Sequence, residues 1–134
     1  MTLSKGTIPQ RLAETLIIDT VANATPVQDA FSGITLATKI YAIKLDNSGV
    51  NAVSYFKGQI SSGAQYATGT APDIRLYAPA NTIVEYTFPS GWPANSFSGS
   101  DKFHFLGTST DASTGTQADP SGNGSFKVTI LGGT

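Results

Sequence analysis

At 134 residues the chain is long enough for one domain with its own core. Only 13% of it is charged, about half the usual ~25%, and its eight basic residues are dispersed from Lys5 to Lys127 against nine acidic ones, so no basic stripe points to nucleic acid. It has no cysteine, which excludes disulfides and thiolate metal sites, and no apolar run approaches the roughly 18 residues of a membrane span.

In chain order, residues 1–15 mix Gly6, Pro9 and scattered polar positions and read as an N-terminal arm, with at most one helical turn over Gln10–Leu16. Leu16-Ile17-Ile18 opens the first strand, and Asn23-Ala24-Thr25-Pro26 is a turn. Over Ile34–Leu45 the apolar phase changes. Ile34, Leu36, Ile40 and Ala42 share one phase and Tyr41, Ile43 and Leu45 the other, which predicts a β-bulge or burial on both sides. Asp46-Asn47-Ser48-Gly49 is a strong turn signal. Val53–Lys57 is a strand with Val53 and Tyr55 on one face and Phe56 on the other, followed by a Gly/Ser/Ala-rich connection over Gln59–Thr70.

Asp73–Tyr77 and Asn81–Phe88 are two strands joined at Pro79-Ala80-Asn81. Ile74 and Leu76 share a face in the first. Val84, Tyr86 and Phe88 alternate against Ile83, Glu85 and Thr87 in the second, the period of a strand with one buried side. Pro89-Ser90-Gly91-Trp92-Pro93 reads as a tight loop. Lys102–Gly107 is a strand with Phe103 and Phe105 inward and His104 toward solvent, Thr108–Gly124 is a long polar loop, and Ser125–Leu131 is the closing strand. Seven or eight short strands between Gly/Pro/Asn turns predict an all-β, antiparallel sandwich or jelly-roll with an extended N-terminal arm, divided as arm 1–15 and domain 16–134.

The residues for catalysis are sparse. His104 is the single histidine, so zinc or copper ligation is poorly supplied. No HExxH, nucleophile elbow or phosphate-binding glycine loop is present. Asp111 and Asp119 share the long loop with hydroxyl side chains, a pattern compatible with a weak calcium site but explained more simply by solvated loop chemistry. Trp92, Tyr66 and Tyr77 are candidate stacking surfaces for a glycan, and Trp92 is equally a candidate plug for one end of the sandwich. No enzyme activity, cofactor or metal is expected.

From about Leu16 onward the order of motifs resembles a small β-sandwich domain recurrent in tailed-bacteriophage structural proteins. The resemblance is carried by Ile40–Asn47 (an apolar strand ending in Asp-Asn), Val53–Lys57 (a strand with Tyr-x-Lys) and the Gly69-Thr70-Ala71-Pro72-Asp73 turn. The Pro79-Ala80 turn, the Phe88-Pro89-Ser90-Gly91 loop and the closing strand Phe126–Leu131 complete it. The chain departs from the pattern at Gln59–Thr68, which is looser, and at Trp92-Pro93, where a simple aromatic or apolar residue is usual.

The resemblance implies a virion structural protein, most concretely a capsid decoration (cement) protein on the major capsid protein, with a homotrimer as the natural oligomer at three-fold positions. It implies no catalytic residues. The expected contact carriers are Thr2, Leu3, Lys5, Ile8 and Arg11 of the arm, with Trp92. The alternatives are a tail, neck or fibre component, or a carbohydrate- or host-receptor-binding module. Met1–Gln10 lacks the apolar core of a signal peptide, so synthesis in the host cytoplasm and residence in the virion are expected, without nucleic-acid or membrane partners.

Overall fold

The computed structural model describes residues 14–28, 39–63, 65–67, 69–93, 101–112, 117–121 and 124–133. Thr2 to Arg11, Ile34 and Leu36 lie outside the described residues. The strands are β1 (Glu14–Asp19), β2 (Lys39–Asp46), β3 (Ser54–Ser61), β4 (Ile74–Ala78), β5 (Ile83–Trp92), β6 (Lys102–Thr108) and β7 (Lys127–Gly133). They form two antiparallel sheets with orders β1-β7-β2-β5 and β4-β3-β6. Among the described residues no helix is long and apolar enough to cross a membrane.

The pairing is that of one long hairpin rolled up. Its tip is β3 against β4; outside that lie β2 against β5, then Val27 bridged to Phe105 of β6, then β1 against β7. Rolling the hairpin adds the β2–β7 and β3–β6 pairs that complete the two sheets. Nested pairing of this kind is a jelly-roll, the strand opposite β6 being reduced to the Val27 bridge. That bridge is a full antiparallel exchange, Val27 N to Phe105 O at 2.7 Å and Phe105 N to Val27 O at 3.1 Å. Ala22 N donates to Phe126 O and Gly107 N to Asn23 O, so residues 22–27 strap one sheet to the other.

Each sheet turns one row of side chains inward. Ile40, Ile43, Leu45, Val128 and Ile130 come from the first sheet, and Phe56, Ile74, Ala78, Phe103 and Phe105 from the second; all are buried in one cluster. Phe56, Phe103 and Phe105 form an aromatic centre with ring centroids 5.5–6.4 Å apart. Gly58, paired with Ile74 and Phe105, leaves the space that the Phe103 ring occupies: a Cβ there would stand 2.5 Å from Phe103 Cζ.

The β-bulge predicted in β2 is present. The register shifts between Ile40 and Ala42, which places Tyr41 as the extra residue and lets Ile40, Ile43 and Leu45 all face the core. The partner stretch on β5 absorbs the same irregularity, since Ala42 pairs with Thr87 while Ile40 pairs with Trp92. Gly91 there has φ +82, a conformation that glycine adopts without a Cβ penalty.

Several expected boundaries move. The stretch read as a loop at Pro89–Trp92 belongs to β5, because Trp92 regains the pairing with Ile40 beyond the bulge. β3 runs on through Gln59, Ile60 and Ser61, which pair with His104, Phe103 and Lys102. Glu14 and Thr15, assigned to the arm, pair with Gly133 and Gly132 in β1, so a helical turn does not extend over them. The two strands joined at Pro79-Ala80-Asn81 are not a hairpin. β4 and β5 lie in different sheets, and Asn81 takes φ 56 at the corner.

Asn47 holds that corner. Its buried amide donates to Ala52 O at 2.8 Å, Ala78 O at 3.2 Å and Pro79 O at 2.9 Å, and its Oδ1 accepts from Ser54 Oγ at 2.7 Å.

Candidate interaction surfaces

The outward face of the β4-β3-β6 sheet is roofed by polar loops. Alternation sends Tyr55, Lys57 and Gln59 of β3 and His104, Leu106 and Thr108 of β6 to this side, and all but half-buried Tyr55 are buried. Lys57 is 0% exposed. Its Nζ donates to Thr110 O, Ala112 O and Gln117 Oε1, each at 2.6 Å, which ties the long loop after β6 onto the sheet. Burial pushes the Lys57 ammonium below its usual pKa, Asp111 opposing that shift and Arg75 adding to it. Gln59 does the same for the loop after β3, donating to Ala67 O and Thr70 O and accepting from Ala67 N.

His104 is therefore not the solvent-facing residue expected from its alternation with Phe103 and Phe105. It is 0% exposed, and its Nε2 lies 3.0 Å from Gly63 O, a carbonyl that only accepts, so that nitrogen carries the proton. Alternation places it correctly on the face opposite the phenylalanines; the loop above then covers it. Tyr66, expected as a stacking surface, is buried too, and its phenol is pushed up to about 12, chiefly by desolvation and further by Asp73.

At the edge of this roof an open cleft of about 380 Å³ is lined by Val53, Tyr55, Arg75, Tyr77 and Asp111. Register pairs Tyr55 with Tyr77 across β3 and β4, ring centroids 6.5 Å apart and planes tilted 43°. Tyr77 is 55% exposed. Arg75, two residues earlier on the same face of β4, reaches Asp111 of the roofing loop, Nη1 to Oδ1 at 3.3 Å, and donates to the Asp111 carbonyl at 3.1 Å. An ion pair this exposed contributes little to stability; what it does is set a donor and an acceptor side by side at the mouth of the cleft. Tyr77 is the one member of the expected stacking set that stands open to solvent here. Tyr55 and Arg75 were missed as partners, although Tyr55-x-Lys57 and Arg75-x-Tyr77 carry the period-2 signal that places them on one face.

The opposite side of the molecule, the outward face of the β1-β7-β2-β5 sheet, is different. Ile17 of β1 packs on the core, so Leu16 and Ile18 point away from it and are 58% and 61% exposed. Val21, just beyond the strand, is 56% exposed. Leu16 pairs with Leu131, which in turn pairs with Ala42, giving an apolar row across three strands. β1 is an edge strand, and among the described residues no strand pairs with its outer side.

Of the expected contact residues, Thr2, Leu3, Lys5, Ile8 and Arg11 lie outside the described residues. Trp92 ends β5, is half-buried, and sets its ring edge-on to Phe103 with centroids 6.2 Å apart. Asp111 and Asp119, weighed together as calcium ligands, serve separate partners. The first holds Arg75 and the second accepts from Ala24 N at 2.8 Å. Among the described residues no group of three or more His, Asp or Glu is placed to hold a metal ion.

No family model matches the chain, and no curated protein matches it. A solved structure of the Tobacco streak virus coat protein is similar over 96% of this chain and 90% of that one, at 11% sequence identity and a TM-score of 0.42. The jelly-roll order given above stands on this chain's own strand pairing.

Proposed function

We propose that this chain is a non-enzymatic virion structural protein of the tailed-bacteriophage kind, most concretely a capsid decoration protein that docks on the major capsid protein and stabilises the head. The observation that carries this reading is the edge strand β1, with Leu16 and Ile18, and Val21 just beyond it, each more than half exposed on a chain that is only 13% charged. Exposed apolar edge strands are templates for association, and natural monomers blunt them with charge or proline; β1 has no proline and keeps its charges, Glu14 and Asp19, at its ends, leaving Leu16-Ile17-Ile18 apolar. A weakly charged surface also lets many copies crowd on one shell with little mutual repulsion, and symmetry multiplies a modest contact energy into avidity. The order of sequence motifs described above supports the phage setting. Thr2, Leu3, Lys5, Ile8 and Arg11 precede β1 directly and extend the proposed contact, and a trimer is the proposed oligomer.

The test is binding of purified protein to emptied, expanded phage heads, followed by particle imaging. Wild type is expected to bind with stoichiometric, symmetric occupancy. The variant Leu16→Lys/Ile18→Lys and deletion of residues 1–11 are each expected to lose binding while remaining folded. Exposed substitutions such as Leu16→Lys and Ile18→Lys usually change stability by about 0.5 kcal/mol or less each. Wild-type protein that ignores heads, or a doubly charged variant that binds them as well as wild type, refutes the proposal and moves the weight to a tail, neck or fibre position.

A further inference from the structure

We infer that the cleft between Tyr55, Tyr77, Arg75 and Asp111 is a binding site for a single uncharged pyranose ring. This does not rest on the capsid reading, since the cleft lies on the face of the sandwich opposite β1. Its volume of about 380 Å³ falls at the small end of the roughly 300–1,000 Å³ range of small-molecule sites.

The lining has the two halves that sugar recognition needs. A pyranose carries C–H groups on its faces and hydroxyls on its rim. Tyr77, 55% exposed, offers an aromatic face to the C–H groups. Tyr55 and Val53 complete the apolar wall. The 43° tilt between the tyrosines makes an angled wall that clasps one ring, where a flat platform would run along several. Arg75 donates in a fork and Asp111 accepts, 3.3 Å apart, a pair matched to neighbouring hydroxyls, which both donate and accept.

Charge decides between sugar classes. Arg75 and Asp111 neutralise one another at the mouth, and the nearby Lys57 ammonium is buried and spends its donors on three oxygens of the loop. No N–H of Lys57 is left to bond a phosphate, sulfate or uronate in the cleft, so its charge acts there only at a distance.

The experiment is an NMR titration of the full chain with the methyl glycosides of glucose, galactose, mannose, N-acetylglucosamine and glucuronic acid. Saturable shifts confined to Tyr55, Arg75, Tyr77 and Asp111 with at least one neutral glycoside are expected. Tyr77→Ala is expected to weaken binding about tenfold, the upper end of one aromatic stacking contact. That variant keeps the fold, because Tyr86 Oη donates to the Tyr77 backbone carbonyl and not to its side chain. Absence of saturable shifts with every neutral glycoside, shifts elsewhere on the surface, or unchanged binding by Tyr77→Ala overturns the inference. Preference for methyl glucuronide over methyl glucoside overturns the assignment to an uncharged sugar.

Discussion

Replacing Lys57 with methionine keeps the aliphatic stem and removes the ammonium, and two opposing effects then compete. A buried ammonium carries a desolvation penalty of several kcal/mol, so an apolar replacement can stabilise a protein when its partners are replaced as well. Here the partners are Thr110 O, Ala112 O and Gln117 Oε1, and the two backbone carbonyls remain whatever the side chains. Three bonds from a charged donor at about 1.5–3 kcal/mol each are lost, a gross loss of about 5–9 kcal/mol. Recovered desolvation offsets part of it. The net expectation is a destabilisation of about 2–4 kcal/mol, limited because the loop can lift and give its carbonyls to water. For a chain of this length that lowers the melting temperature by about 10 °C. Calorimetry reads the magnitude, and amide hydrogen exchange shows where it falls, with protection lost first over 108–112 and 117–121. A Lys57→Met protein as stable as wild type, or more stable, with unchanged exchange in that loop, refutes the reasoning.

Tyr66 gives a pH dependence with a definite sign. Its phenol titrates at about 12 in the folded protein against the ordinary 10.0, so between those values the unfolded chain holds fewer protons and stability falls as pH rises. Tyr66→Phe is expected to flatten that alkaline limb in urea titrations; Lys57, lowered by burial, contributes the opposite slope below its own ordinary value and is kept in both proteins. Gly58→Ala is expected to cost about 1–3 kcal/mol by overpacking, since its Cβ would meet Phe103 at 2.5–2.6 Å and Ile74 at 2.9 Å; chemical denaturation measures it. Asn47→Ala is expected to cost about 2–4 kcal/mol by orphaning buried carbonyls at the β4–β5 corner, seen as a lower denaturation midpoint with the slope unchanged.

Much of the fold was legible in side-chain alternation. Val84, Tyr86 and Phe88 face the core against exposed Ile83, Glu85 and Thr87, Phe126, Val128 and Ile130 are buried, and the phase change in β2 marks a real bulge. Alternation names a face but not what covers it, which is why His104 and Gln59 read as solvated or loop residues and are buried under loops. Turn chemistry has a similar blind spot. Pro79-Ala80-Asn81 reverses the chain in either case, and what makes it a corner between sheets is distant in sequence: the partners of β4 and β5, and the bonds with Asn47 and Val50. The cleft was half visible. Tyr77 is on a strand whose face can be read, whereas Asp111 comes 36 positions after its partner Arg75, a distance over which no local pattern speaks.

The nested hairpin also dictates when the molecule can come into being. β7 is not at the rim of its sheet; it lies between β1 and β2, and Gly133 near its end pairs with Glu14 at the start of β1. A nascent chain on the ribosome therefore holds β1 and β2 with nothing between them until β7 has emerged. Leu16 and Ile18, exposed in the finished protein, are then neighbours to unpaired strand edges, the condition in which chains aggregate. Pairing across such separations is slow. Folding of this sandwich therefore waits until β7 has left the ribosome, and a chain truncated before Lys127 loses the middle of a sheet, not a fringe.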